Sequence, residues 1–174
     1  MPDRRGYVQV YTGDGKGKTT AAFGLALRSA GAGHTVFIAQ FVKGMHYSEL
    51  DALARFDDLV TIKQYGRGCF IRNAPTQEDI DAARAALPEI EKALTSGAYR
   101  VVILDEANIA THYGLISVDE LLSLIDARHA GTEIVITGRR ADARVIERAD
   151  LVTEMTCVKH YFEKGVQARV GIEK

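Results

Sequence analysis

Residues 12–20, Thr12-Gly13-Asp14-Gly15-Lys16-Gly17-Lys18-Thr19-Thr20, constrain the fold more than any other stretch. A β-branched, apolar run (Tyr7 to Tyr11) leads in, and an alanine-rich helical pattern (Ala21 to Ala30) leads out. Strand, glycine loop and helix in succession are the context of a phosphate-binding loop. The glycines let the backbone turn tightly and bring its N–H groups onto phosphate oxygens. The helix N-terminus adds a partial positive charge. Lys18 is placed to reach the phosphates and the Thr19 hydroxyl to ligate Mg²⁺. The spacing departs from the usual one, which would need glycine at Thr12; counted from Gly13, the loop is one residue short. Lys16 puts a second cation inside it. The plainer alternative is a glycine-rich turn with solvated lysines.

A loop of this kind needs a sheet behind it, and 174 residues suffice for one α/β domain with a real core. Strand-like and helix-like runs alternate throughout, which predicts a mainly parallel sheet with helices on both faces. Thr35 to Phe41 reads as a second strand, Leu59 to Tyr65 as a third, Arg100 to Glu106 as a fourth, Glu133 to Thr137 as a fifth and Leu151 to Met155 as a last. Between the third and fourth, a long helix opens at Thr76, with Asp79 three residues on. Ile80, Ala83, Leu87, Ile90 and Leu94 lie on one face, and Pro88 predicts a kink or break. Ser117 and Glu120 form a capping box for a later helix.

In open α/β sheets the ligand crevice lies at the carboxyl ends of the strands. Three such ends carry chemistry. Lys43-Gly44 follows the second strand, and Lys43 is there either a substrate contact or a solvated loop lysine. The fourth strand ends in Asp105-Glu106, the pattern in which an acidic strand tip holds Mg²⁺ directly or through water. Gly138-Arg139-Arg140 follows the fifth, where Arg139 is placed to contact a phosphate. After the third strand, Gly66 to Asn73 combines glycines, arginines and apolar side chains. Its Phe70 and Ile71 either tuck onto the core or form a flap over a partly apolar ligand.

Charge and composition narrow the partners. Lys and Arg number 22 against 23 Asp and Glu, a net charge of −1, which gives no drive toward nucleic acid or anionic membrane. No apolar run approaches the length of a membrane span, and the first residues lack a signal-peptide core. Cys69 and Cys157 have no metal-ligand spacing and read as reduced thiols of a cytoplasmic protein. The five histidines show no metal spacing, and no Ser/His/Asp set supports a hydrolase.

Taken in order, these pieces resemble the ATP:corrinoid adenosyltransferases of the cobalamin pathway. The resemblance runs from about Gly6 to Gly171. It is carried by Thr12 to Gly24, Gln40-Phe41-Val42-Lys43-Gly44, Val102-Ile103-Leu104-Asp105-Glu106, Ile136-Thr137-Gly138-Arg139 and Val158-Lys159-His160. The short loop with two Gly-Lys pairs and two threonines looks like that family's own variant, so its missing residue is expected. The resemblance implies a RecA-like P-loop fold with residues 1–174 as a single domain, found as a homodimer. It implies that Gly13, Asp14, Gly15, Lys16, Gly17, Lys18, Thr19 and Thr20 grip the triphosphate of ATP, which lies reversed relative to most P-loop proteins. Mg²⁺ would be held by Thr19 and Glu106, with Asp105 behind them.

The implied reaction needs no activated side chain. Co(I) of a reduced corrinoid, supplied by a separate reductase, is itself a strong nucleophile; it attacks the ribose C5′ of ATP and tripolyphosphate leaves. Lys18 and Lys16 would neutralise the leaving group. One departure stands out: where many members carry a Phe and a Trp after the third strand, this chain has Cys69 and Ile71, with Phe70 between them, as the matching corrinoid contacts beside Lys43. The rival readings are a P-loop enzyme moving the γ-phosphoryl group, a nucleotide or corrinoid carrier without turnover, and a RecA-like DNA motor. Neutral charge weighs against the last.

Overall fold

A computed structural model describes residues 5–67 and 74–174. Its centre is a six-stranded sheet in the order β3-β2-β4-β5-β1-β6, with every pairing parallel. The strands are β1 (Val8–Thr12), β2 (Val36–Gln40), β3 (Val60–Gln64), β4 (Val101–Asp105), β5 (Glu133–Thr137) and β6 (Leu151–Glu154). β2 and β4 are buried along their whole length, as near-continuous apolar strands covered on two faces should be. β6 is exposed throughout, which its sequence did not signal: it is an edge strand, paired among the described residues only with β1.

The helices are α1 (Lys18–Gly31), α2 (Ser48–Leu53), α3 (Gln77–Ala85), α4 (Leu87–Thr95), α5 (Ala107–His112), α6 (Val118–Ala127) and α7 (Ala143–Arg148). Side chains alternate along a strand, so β2 feeds two cores. Val36 and Ile38 pack with Ala22, Phe23 and Ala26 of α1 and Leu53 of α2. Phe37 and Ala39 pack with Ile90 and Leu94 of α4, Leu121 and Ile125 of α6 and Val145 of α7. Helices thus cover both faces, as expected.

The expected long helix is broken at Ala86 into α3 and α4, with Pro88 in the first turn of α4. Proline lacks an N–H and fits a first turn, where that donor has no partner in any case. The predicted capping box of Ser117 with Glu120 is present on α6, and Thr76, the expected start of α3, forms a second one with Asp79.

Because all six strands run the same way, their carboxyl ends open on one edge of the sheet. Among the described residues, three non-glycine ones there have left-handed backbone: Val42 (φ 53) after β2, Glu106 (φ 60) after β4 and Arg140 (φ 58) after β5. Such conformations are uncommon outside glycine and gather where a site demands them.

Candidate active site

β1 ends at Thr12 and the glycine loop turns back over it to start α1 at Lys18. The turn is held from outside the loop. Gly15 N–H donates to Met155 O at 2.6 Å, in the segment just past β6. A Cβ on Gly13 would lie 2.5 Å from that same oxygen and one on Gly15 2.7 Å, and Gly13 also has φ 91, so neither position accepts a side chain. The Ala21 N–H is bonded back to Gly17 O at 2.7 Å. The N–H groups of Lys18, Thr19 and Thr20 precede it and point out of the helix end, ready for an anion.

Lys18 is buried, and its Nζ donates to the loop's own carbonyls, Gly13 O at 2.7 Å and Gly15 O at 2.6 Å. Burial pushes its pKa down, partly countered by Glu106 and Asp14. The ammonium is therefore the centre of the loop, poorly hydrated and close to where phosphate oxygens would lie.

The second half of the site is built around Asp105, which is fully buried. It accepts hydrogen bonds from Thr19 Oγ1 (2.8 Å), Thr137 Oγ1 (2.7 Å), Gln40 Nε2 (3.0 Å) and Lys43 Nζ (2.8 Å). A buried carboxylate would be costly without such partners. The network joins α1 to the ends of β2, β4 and β5. Glu106 follows, with its N–H donating to Thr137 Oγ1 at 2.9 Å. Burial, and then the neighbouring Asp105 charge, raise the Glu106 pKa, while Lys43, Lys18 and Arg139 pull it down.

Between these halves lies a cleft of about 790 Å³. Gly15, Lys16, Gly17, Lys18, Thr19 and Thr20 line one side, with Lys43, Glu106 and Arg139 around them. Gly13, Asp14 and Asp105 do not reach its wall. Gly13 instead holds Lys18 through its carbonyl, and Asp14 lies 3.9 Å from Arg139 in an exposed ion pair. Asp105 acts through Thr19 and Lys43. Cys69, Phe70 and Ile71 lie outside the described residues.

Several groups at the site were not singled out from sequence. Gln40 was detectable in principle as the lone polar residue closing an otherwise apolar strand, and Thr137 as the polar residue ending the apolar run of β5. Tyr47, Ile109 and Tyr113 give the cleft apolar wall area, and residues 171–174 close one side. There Lys16 Nζ donates to Ile172 O and Ser48 Oγ to Lys174 O, each at 3.1 Å. No local pattern foretells a contact between residues more than 120 positions apart.

Among the described residues no three His, Cys, Asp or Glu side chains cluster as a metal cage. Mg²⁺ is commonly bound by one or two carboxylates plus substrate phosphates, and Thr19, Asp105 and Glu106 are the oxygen donors present for it. The donor set fits as well: Lys43 Nζ sits 2.8 Å from an Asp105 oxygen and 3.1 Å from Thr19 Oγ1, so a cation already occupies a hydroxyl–carboxylate cradle.

Comparison with known proteins agrees with the arrangement. The family described as ATP:corrinoid adenosyltransferase BtuR/CobO/CobP matches residues 4–173. A Pseudomonas aeruginosa protein named corrinoid adenosyltransferase is 40% identical over 172 residues, covering 98% of this chain and 85% of its own length. Proteins of the same name from Sinorhizobium and Escherichia coli K12 are 35% and 34% identical, each over 98% of this chain and over 81% and 87% of their own lengths. A glycine loop one residue short, the two carboxylates at the end of β4, and a match running from one end of the chain to the other place it in the ATP:corrinoid adenosyltransferase family.

Proposed function

We propose that this protein transfers the 5′-deoxyadenosyl group of ATP to the Co(I) centre of a reduced corrinoid, cob(I)yrinic acid a,c-diamide or cob(I)alamin, in adenosylcobalamin biosynthesis or salvage. The observation that carries the reading is the pairing, across one cleft, of the short glycine loop around Lys18 with Glu106, backed by Asp105, in a chain of this family. The Co–C5′ bond forms with the electron pair of Co(I), and the C5′–O bond breaks with its pair passing to tripolyphosphate. Both electrons of the new bond come from cobalt, which ends formally as Co(III) in the product, so a separate reductase must supply each incoming corrinoid as Co(I).

The protein's part is positioning and charge. Lys18, with the N–H groups at the start of α1, grips the polyphosphate and takes up the charge growing on the leaving oxygen. Lys16 and Arg139 extend the positive rim. Gly13 and Gly15 let the segment after β6 approach closely, and Gly15 also lines the cleft. Thr19 and Glu106 hold Mg²⁺, with Asp105 fixing the Thr19 hydroxyl from behind; when bound, Mg²⁺ supplies further neutralisation of the polyphosphate. The apolar wall around Tyr47, Ile109 and Tyr113 suits a base or a corrin edge. Cys69, Phe70 and Ile71 belong to the corrinoid side of the reading. It takes residues 1–174 as one catalytic domain, a homodimer, and the cytoplasm as setting; no helix among the described residues is long and apolar enough to cross a membrane.

The test is anaerobic incubation with Mg²⁺, ATP and chemically reduced cob(I)alamin, then with the a,c-diamide. A light-sensitive alkylcorrinoid with equimolar tripolyphosphate is expected. ADP without an alkylcorrinoid would replace this reading with phosphoryl transfer.

A further inference from the structure

Lys43 leaves β2 through the left-handed turn at Val42, and its side chain is 14% exposed. Its Nζ donates to Asp105 Oδ2 at 2.8 Å and to Thr19 Oγ1 at 3.1 Å. Thr19 gives its own proton to Asp105 Oδ1 at 2.8 Å, so only oxygen lone pairs face the ammonium. One hydroxyl oxygen and one carboxylate oxygen turned on a single positive charge are donors a hard divalent cation takes. Among the described residues Asp105 has four hydrogen-bond donors, and Lys43 alone among them brings charge.

We propose that Lys43 is a positioning residue, a tethered stand-in for the divalent cation that keeps Thr19 and Asp105 in their loaded geometry until the metal–nucleotide arrives. This rests on the reading of Thr19 and Glu106 as the metal-holding pair. A divalent ion on Thr19 Oγ1 would lie within a few ångströms of Nζ, and like charges that close in a partly buried site repel strongly. Metal and ammonium therefore exclude each other at Thr19. The ammonium has somewhere to go: Nζ is 5.5 Å from the centre of the Tyr47 ring, which faces the cleft, at the end of a flexible four-carbon stem. Once in the cleft it faces the polyphosphate. Metal arriving alone offers the displaced ammonium no such partner, so the device enforces entry of metal together with nucleotide.

The probe is Mn²⁺, followed by the loss of its free-ion electron paramagnetic resonance signal, on the whole protein without nucleotide. Wild type should take up Mn²⁺ weakly. Lys43→Gln, which keeps a hydrogen-bond donor for Asp105, and Lys43→Met should each bind it at least about tenfold more tightly, and adding Thr19→Val should abolish the gain. Both single variants should melt lower than wild type without metal and recover on adding Mn²⁺ alone, a readout that holds even if folding is weakened. Unchanged Mn²⁺ affinity with no recovery would overturn the stand-in role and leave Lys43 a plain ion pair. The underlying reading fails separately: it is wrong if wild type with ATP retains no more Mn²⁺ than ATP alone.

Discussion

Thr137 does two jobs with one hydroxyl: its Oγ1 donates to Asp105 Oδ1 at 2.7 Å and accepts from Glu106 N–H at 2.9 Å. Valine has nearly the same shape and neither capacity. Thr137→Val would leave a buried acceptor and a backbone donor short of partners, and is expected to cost about 1–3 kcal/mol in denaturant unfolding. Lys18 differs, because its two hydrogen bonds go to carbonyls of its own loop, which Met155 also holds. Lys18→Ala is expected to lose only about 1 kcal/mol of stability but at least roughly 10²-fold in turnover, the usual loss for a group that stabilises charge in the transition state. Near wild-type turnover in that variant would take the loop out of the mechanism. Glu106 points the other way again. Burial and the Asp105 charge hold its pKa up, so the ionised form is strained in the metal-free protein. Glu106→Gln should raise the melting temperature without metal while weakening Mg²⁺-dependent ATP binding, which calorimetry would separate.

At the scale of elements, the ends of helices were as legible as the strand tips. Ser117 and Glu120 announce the start of α6 because a capping box is a local transaction: Ser117 N–H donates to Glu120 Oε2 at 2.6 Å, and Glu120 N–H donates back to Ser117 Oγ at 3.1 Å. The backbone bond from Ser117 holds the Glu120 carboxyl below its ordinary pKa. A lowered carboxylate pKa contributes stability above the unfolded value and loses it as pH falls through the folded one. Glu120→Gln should therefore be less stable than wild type at neutral pH, and the gap should close as acid protonates Glu120 in both states. A gap unchanged by acid would mean the charge contributes nothing. What sequence did not give at this scale came from distance along the chain. β6 looks like the other strands, yet only the sheet order makes it an edge. Lys43 read equally well as a solvated lysine, because Asp105 is 62 residues away. The closing of the cleft by residues 171–174 depends on contacts spanning most of the chain.

For the molecule as a whole, the site is a place where separate parts of the sheet are tied together. The tips of β1, β2, β4 and β5 all contribute, so a ligand bound there stabilises the folded chain as a unit rather than one loop. Ligand at about 100 times its dissociation constant adds about 2.7 kcal/mol, which for a chain of this size is roughly a 5–11 °C rise in melting temperature. The geometry says which part of the nucleotide should carry that rise. Four cations, Lys16, Lys18, Lys43 and Arg139, lie with the glycine loop, whereas elsewhere Phe23, Tyr47, Ile109, Tyr113 and Ile172 offer apolar contact and the acids Glu49 and Glu173 offer a polyphosphate nothing. Tripolyphosphate with Mg²⁺ should therefore reproduce most of the shift given by Mg²⁺ and ATP, each at saturating concentration, and adenosine alone should give little. Scanning calorimetry with the three ligands decides it. A shift from adenosine with none from tripolyphosphate would place the binding energy on the apolar wall and reduce the loop cations to a minor part. The expected order has a kinetic corollary: a product that binds nearly as well as the substrate should inhibit turnover in competition with ATP, and Lys18→Ala should relieve that inhibition as it weakens the grip on both.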